Sequence, residues 1–342
     1  MEKLKMGIVG AGVWGKTHAK IYEEHPLAET VAICDLDKSK AEALAAIHGV
    51  TEVYTDHREM LEKSDCDVVA IVTPDFLHAE IAINCANAGK HMLIEKPLAT
   101  KRDEVFAMLE AIEKNNVRAM VDLHNRWNPP VNTAKQAIDA GELGEIYSAY
   151  MRLNDMKWVP IDMLSWSAQS SILWFLGSHS IDTLSWLVGS RVKRVYSVSR
   201  EGLLKAEGVD VPDMYLTTLE FENGCIAHME NGWITPDAST NINDVKYTLL
   251  GTKGMISMDC SSHNMIQKIT DRVTTPDVIV GNTVFGSVKG FAYETIRSFI
   301  DRMIDGKPFD VSLKDAANAS LALLAVLESA KTRMPVEVNY DK

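Results

Sequence analysis

The chain lacks most of the features that would mark a disulfide scaffold, a membrane protein or a nucleic-acid binder. Its five cysteines, Cys34, Cys66, Cys85, Cys225 and Cys260, are odd in number and scattered, with no C-x-x-C pair. That argues against both a disulfide framework and a zinc knuckle. No uninterrupted apolar run approaches the ~20 residues of a membrane helix. The first residues, Met1-Glu2-Lys3-Leu4-Lys5, run into a strand-like segment and lack the apolar core and cleavage site of a signal peptide. A cytoplasmic location is therefore expected. Acidic residues outnumber basic ones, 47 to 35, for a net charge of −12. Such a chain repels a phosphate backbone, and no local basic patch offsets this. His228 and Glu230 alternate on one strand-like run and His263 is isolated, so no cluster has metal-ligand spacing and no metal is expected. There is no G-x-S-x-G elbow and no internal repeat.

What is present is an ordinary globular composition, 46% apolar and 24% charged, over 342 residues, a length that suits two domains. In residues 1–123 short apolar runs alternate with helix-like stretches. Residues 5–10, 30–35, 53–54, 67–73, 91–95 and 118–123 read as strands. Residues 14–24, 38–48, 58–63, 79–88 and 101–115 read as helices between them. The run 67–73 is apolar almost throughout, as a parallel strand buried on both faces should be. This alternation predicts an α/β domain with a doubly wound parallel sheet of Rossmann type. From residue 124 the pattern changes. A helix over 129–140 precedes an alternating run, 146–153, and a helix over 171–188. Strand-like runs follow at 192–199, 214–221, 225–231, 245–251 and 254–258, with hairpin turns at 222–224 and 251–254. Residues 291–305 and 313–332 read as terminal helices. Residues 124–342 are thus expected to form an α+β domain with an open, mostly antiparallel sheet covered by helices on one face.

Gly10-Ala11-Gly12-Val13-Trp14-Gly15 fits G-x-G-x-x-G. Alone the hexapeptide is a weak signal, but here a strand precedes it and a helix follows. The first glycine permits a tight turn, the second lets backbone approach a pyrophosphate, and the third permits close helix–strand packing. The backbone N–H groups of Val13 and Trp14, at the helix start, then face the anion. Asp35 stands 20 residues after Gly15, at the end of the second strand. A carboxylate there suits the adenosine ribose hydroxyls and repels a 2′-phosphate, so NAD is expected rather than NADP; Lys38 and Lys40 could soften that repulsion. Ligands of open parallel sheets sit beyond the carboxyl ends of the strands. Thr73, Pro74 and the loop reaching His78 are therefore expected beside the cofactor, although His78 is equally readable as a helix-start residue without a role. Glu95-Lys96-Pro97 ends the next strand at the same edge. An ammonium there can hydrogen-bond a substrate hydroxyl, steady oxyanion charge and, if its surroundings lower its pKa, act as general base. On spacing alone, a surface Glu–Lys pair is the commoner explanation.

Gly10-x-Gly12-x-x-Gly15, Asp35, Thr73-Pro74, Glu95-Lys96-Pro97 and Gly177-x-His179-x-x-Asp182 occur in an order and at distances that resemble the Gfo/Idh/MocA family of glucose–fructose oxidoreductase, inositol dehydrogenase and MocA-like proteins. The resemblance spans essentially the whole chain. It implies a C-terminal domain whose open sheet makes a homodimer or homotetramer interface. It also implies NAD(P)-linked chemistry on sugars, cyclitols and related polyols. By the same resemblance Lys96 is the catalytic lysine, with Glu95 and Lys96 bordering the cofactor. His179 is the catalytic histidine that relays the proton, work that suits an unperturbed pKa of about 6.5. Asp182 lies on the same helix face as His179; it either orients the ring or a substrate hydroxyl, or is simply a helix acid. Many family members carry Asp four residues before the histidine. This chain has Phe175, which cannot accept a proton, leaving Lys96 and His179 as the pair and implying a changed pocket.

Substrate contacts are expected from Asn125, Arg126 and Trp127, which follow the last strand of the nucleotide domain. Arg126 either grips a carboxylate or hydroxyls through its fork of donors or forms a salt bridge at the domain boundary. Arg152 and Asn154 end the first strand of the second domain and are expected near the substrate. Trp174, like Trp166 and Trp233, is either a sugar-facing ring or a core residue. The expected function is hydride transfer between NAD and a hydroxyl or keto carbon of a sugar, sugar acid, glycoside or cyclitol. The alternative is redox-neutral: transient oxidation, elimination or rearrangement, then re-reduction. A non-catalytic nucleotide-dependent sensor is the third reading, and the presence of both Lys96 and His179 argues against it.

Overall fold

The computed structural model of the chain describes residues 2–261 and 265–342; His263 lies outside them. Six strands, β1 (Leu4–Val9), β2 (Ala28–Cys34), β3 (Glu52–Tyr54), β4 (Val68–Ile71), β5 (His91–Ile94) and β6 (Ala119–Val121), form a sheet in the order β3-β2-β1-β4-β5-β6. Every pairing in it is parallel. The order reverses between β1 and β4, the switch point where open α/β sheets bind ligands. Helices α1 (Val13–Glu24), α2 (Lys38–His48), α3 (His57–Lys63), α4 (His78–Asn87) and α5 (Arg102–Lys114) connect the strands. All four residues of β4 are buried, which accounts for its apolar run. Asp37 and Asp56 cap α2 and α3 by accepting hydrogen bonds from backbone N–H groups two residues on.

The first compact unit contains the residues up to His124 together with Val280–Ala317. The expectation is a single boundary after residue 123; this unit also takes in a later segment of the chain. The helix Phe291–Asp305 packs on α1, and Arg297 pairs with Glu24 at 3.5 Å. Arg118 lies over the Phe309 ring, 4.4 Å from its centroid, and donates to the carbonyls of Arg302, Met303 and Lys307. A cation at a helix C-terminus satisfies carbonyls the helix leaves open and complements its dipole. An amphipathic helix does not declare in its own sequence which sheet it will cover.

The second unit comprises Asn125–Ile279 and resumes at Asn318. It contains α6 (Pro129–Asp139), β7 (Ile146–Met156), α7 (Ser178–Val188), β8 (Val192–Arg200), β9 (Met214–Phe221), β10 (Ile226–Thr235), β11 (Asn243–Gly251) and β12 (Met255–Asp259). Its sheet runs β12-β11-β7-β10-β9-β8, with the short strand Val336–Glu337 beyond β8. β7 and β10 pair in parallel, and the other neighbours are antiparallel. In β7, Ala149, Met151 and Leu153 are buried, while Tyr150, Arg152 and Asn154 face the opposite way. The buried face meets α7 in a core that includes Trp174, Leu184, Trp233, Tyr247 and Leu323. The helix expected over 171–188 is a π-helical turn, Leu173–Gly177, running into α7. Gly177 suits that join: a Cβ there would lie 3.1 Å from Leu173 and 3.3 Å from Leu323. Among the described residues no helix is long and apolar enough to cross a membrane.

Candidate active site

Beyond β1 the chain turns through Gly10 at φ 110°, a conformation that favours glycine. A Cβ at Gly10 would lie 2.3 Å from the Val72 carbonyl oxygen, and one at Gly15 would lie 2.0 Å from that of Gly10. The strand–turn–helix join therefore excludes any side chain at either position. A Cβ at Gly12 would meet nothing within 4 Å, so the approach to the start of α1 is open there. No side chain caps α1, and its first turn holds no acid. The N–H groups of Val13 and Trp14 thus present a helix N-terminus to an anion. Asp35 accepts from the N–H of Ala11 at 2.7 Å and of Asp37 at 2.9 Å. These bonds fix its carboxylate beside the glycine turn, and each oxygen keeps a further lone pair for a ribose hydroxyl. Lys38 is drawn to Glu42 at 3.4 Å and Lys40 to Asp37 at 3.9 Å.

Thr73-Pro74 follows β4 and Glu95-Lys96-Pro97 follows β5, so both loops lie beyond carboxyl ends of adjacent strands. The Lys96–Pro97 peptide is cis. His78 is fully buried, with Nδ1 2.7 Å from the Pro97 carbonyl and Nε2 3.1 Å from that of Thr73. Its ring thus lies between the two loops, each ring nitrogen against a backbone carbonyl.

Lys96 is half-buried and Glu95 is buried. Glu95 Oε1 lies 3.3 Å from Nε2 of His18 on α1, whose Nδ1 is 2.9 Å from the Tyr22 hydroxyl. Asp122, just after β6, completes the group: one side-chain nitrogen or oxygen from each of His18, Glu95 and Asp122 lies within 4.8 Å of the other two. His124 Nδ1 lies 3.3 Å from Asp122 Oδ1, and its ring stacks on Trp14. Two carboxylates at such a distance repel by about 3 kcal/mol at an effective dielectric of about 20, which disfavours double ionisation. For Glu95, burial opposes the charge, but the hydrogen bond from His18 and the nearby Lys96 ammonium help outweigh it and hold the carboxyl below its usual range. For Asp122, burial and then the Glu95 charge push the carboxyl above its usual range. No local spacing joins positions 18, 95 and 122. The available signals were an acid closing an apolar strand at Asp122 and the His18–Tyr22 pair one turn apart on α1.

In the second unit His179 is buried in the first turn of α7. Asp182, one turn on, is engaged by Arg126: Nε to Oδ2 is 3.0 Å and Nη2 to Oδ1 is 2.5 Å, with both residues buried. The guanidinium also lies 5.5 Å from the Trp186 ring centroid. The donor fork expected to face a ligand therefore faces Asp182. Asn125 is buried and Trp127 half-buried in the same short turn, His124–Trp127. Arg152 and Asn154, expected near the substrate, are placed by β7. They stand on the sheet face opposite α7 and thus opposite His179. There Arg152 pairs with Asp244 at 2.9 Å, and Asn154 donates to Glu230 at 2.8 Å. Of the two readings open for them, Trp174 and Trp233 take the core position. Phe175 is half-buried and packs on Trp166 and Trp233, with ring centroids 6.3 and 5.7 Å away.

Residues 4–123 match the model of an oxidoreductase family with an NAD-binding Rossmann fold, and residues 131–257 match the GFO/IDH/MocA C-terminal domain. The chain is 32% identical to levoglucosan dehydrogenase of Pseudarthrobacter phenanthrenivorans, over 78% of this chain and 76% of that protein. The chain belongs to the Gfo/Idh/MocA family. It is also 27% identical to scyllo-inositol 2-dehydrogenase (NAD(+)) of Bacillus subtilis strain 168, over 100% of this chain and 98% of that one. A solved levoglucosan dehydrogenase in complex with NADH aligns with a TM-score of 0.83 at 28% identity, covering 99% of this chain and 100% of that one. This Gfo/Idh/MocA protein is an oxidoreductase with an NAD-binding Rossmann domain. Its glycine turn, open Gly12 and anchored Asp35 fit an adenine dinucleotide. Replacing Asp35 by serine weakens NAD binding by about 10- to 100-fold, the worth of hydrogen bonds to a charged acceptor. It also raises the use of NADP relative to NAD. Steady-state kinetics with both cofactors checks this, and an unmoved preference would place the discrimination outside Asp35.

Proposed function

We propose that this enzyme transfers a hydride between NAD and a hydroxyl or keto carbon of a sugar, sugar acid, glycoside or cyclitol. The observation that carries the reading is Lys96, half-buried beyond the carboxyl end of β5, in the same unit as the glycine cradle. Bound NAD supplies the hydride acceptor; the rest is the chain's work. In the oxidative direction Lys96 takes the hydroxyl proton; His179 is the second acid–base group that the family resemblance implies. Asn125 and Trp127 contribute to substrate binding. Phe175, with Trp166, offers an aromatic edge to the C–H face of a ring in place of a carboxylate. The redox-neutral alternative draws no support from relatives named as dehydrogenases.

Nicotinamide absorbance with NAD⁺ and a panel of sugars, sugar acids, glycosides and inositols tests the reading, with product analysed in parallel. NADH formed in step with product is the expected result. Product without net NADH would move the answer to the redox-neutral course. Nucleotide binding without turnover of any substrate would leave a sensor.

The same reading includes a homodimer or homotetramer built on the open face of the second unit's sheet. That face carries exposed Tyr196, Val198, Leu216, Ile226 and Leu250. Apolar side chains in such number on one face support burial against another copy. Light scattering on the wild type should give a dimer or tetramer mass. Leu216→Lys together with Ile226→Lys should give a monomer with an intact circular dichroism spectrum; a monomeric wild type would refute the assembly.

A further inference from the structure

Glu95 and Asp122 are two carboxyl groups in one buried cluster, and their neighbours decide how many charges they carry. His18 and Tyr22 come from α1, Glu95 and Lys96 from the end of β5, and Asp122 and His124 from the end of β6. The Tyr22 hydroxyl is fully buried and lies 2.9 Å from His18 Nδ1. Donating there satisfies the phenol proton and leaves the His18 Nε2–H for Glu95 Oε1, 3.3 Å away. Glu95 thus has a donor. Asp122 has none in good geometry: both its oxygens are buried, and the ring nitrogen of His124, 3.3 Å away, only partly favours its charged form.

We propose that Glu95 and Asp122 share a single proton, so that the cluster holds one negative charge and sets the pH at which the neighbouring Lys96 changes its own. The second half rests on the reading of Lys96 as the acid–base group. The proton resides on Asp122, the carboxyl without a donor in good geometry, and the charge on Glu95, next to Lys96 in the chain. That charge favours the Lys96 ammonium, so Lys96 becomes neutral at a higher pH than it would alone. The pair is coupled. With glutamine at position 95, Asp122 loses the neighbour that keeps it protonated and releases its proton, so the cluster still carries one charge. His18, Glu95 and Asp122 act through Lys96 and are positioning residues. This direction agrees with the opposite displacements of the two carboxyl groups from their usual range.

Infrared difference spectroscopy of the full chain with bound NAD at neutral pH tests the proton. The wild type should show the C=O stretch of a buried carboxylic acid, and both Asp122→Asn and Glu95→Gln should lose it. A band retained in Asp122→Asn, or none in the wild type, would overturn the shared proton. So would stoichiometric metal in the purified enzyme, since a cation would then stand where the proton is placed. The pH dependence of kcat/KM tests the link to Lys96. In the oxidative direction activity rises with pH as Lys96 loses its proton. The Glu95→Gln/Asp122→Asn double variant, with no charge left in the pair, should move that rise to lower pH by about one pH unit or more. Each single variant, still carrying one charge, should move it less. A double variant with lower kcat and an unmoved profile would make the cluster merely structural. The infrared band is read without turnover, so it separates failure of the shared proton from failure of the Lys96 assignment.

Discussion

Replacing Lys96 by alanine lowers kcat by about 10²–10⁴-fold, the range a positioned acid–base group contributes, while NADH binding stays close to that of the wild type. The split follows from where the tasks lie. The dinucleotide is held by the glycine turn, the uncapped start of α1 and the anchored Asp35 carboxylate. None of these uses the Lys96 side chain. Arginine at position 96 should not restore turnover: guanidinium keeps the charge but does not give up its proton in the working range. Steady-state kinetics and NADH fluorescence titration on the same preparations check both halves. Equal losses in turnover and affinity would reduce Lys96 to a cofactor contact.

The nucleotide half of the fold was legible because its signals are local. A parallel strand buried on both faces reads as an unbroken apolar run, as in Val68–Ile71. The glycine spacing reports backbone clearances that a Cβ would violate at Gly10 and Gly15. Glu95-Lys96-Pro97 had meaning only through the family pattern, since a Glu–Lys pair alone says nothing of a site. Other features were hidden for physical reasons. The acceptors of His78 are backbone carbonyls, which no side-chain pattern announces. Alternation in β7 shows that the strand has two faces, but not which one the helix covers, so the side taken by Arg152 and Asn154 is not legible from it. The His18–Glu95–Asp122 cluster joins three separate strand–helix connections. Its members were visible singly, and only the order β1-β4-β5-β6 brings them together.

The Arg126–Asp182 pair gives the other large effect. Cutting Arg126 to alanine takes the bidentate donor away from the buried Asp182 carboxylate, which costs about 3–5 kcal/mol. Asp182→Ala takes the acceptor away from the buried guanidinium at a similar cost. For a domain of this size each kcal/mol lowers Tm by roughly 2–4 °C, so either single variant should melt about 10 °C below the wild type. The double variant Arg126→Met/Asp182→Leu removes both charges and should recover most of that loss, because apolar residues of similar volume replace a buried pair with little penalty. Thermal melts of the wild type, Arg126→Met, Asp182→Leu and the double variant close the cycle and give the coupling directly. The same set tests what Arg126 is for. His179 lies one turn before Asp182 on α7, so a pair that holds this helix also fixes the histidine. Loss of the pair should then lower kcat in the single variants along with Tm. A substrate anchor behaves differently: Arg126→Ala would raise KM and leave Tm and kcat near the wild type. The two side chains face each other in a bidentate contact at 2.5 and 3.0 Å. With that fork already closed on Asp182, the melting temperature is the quantity expected to move first.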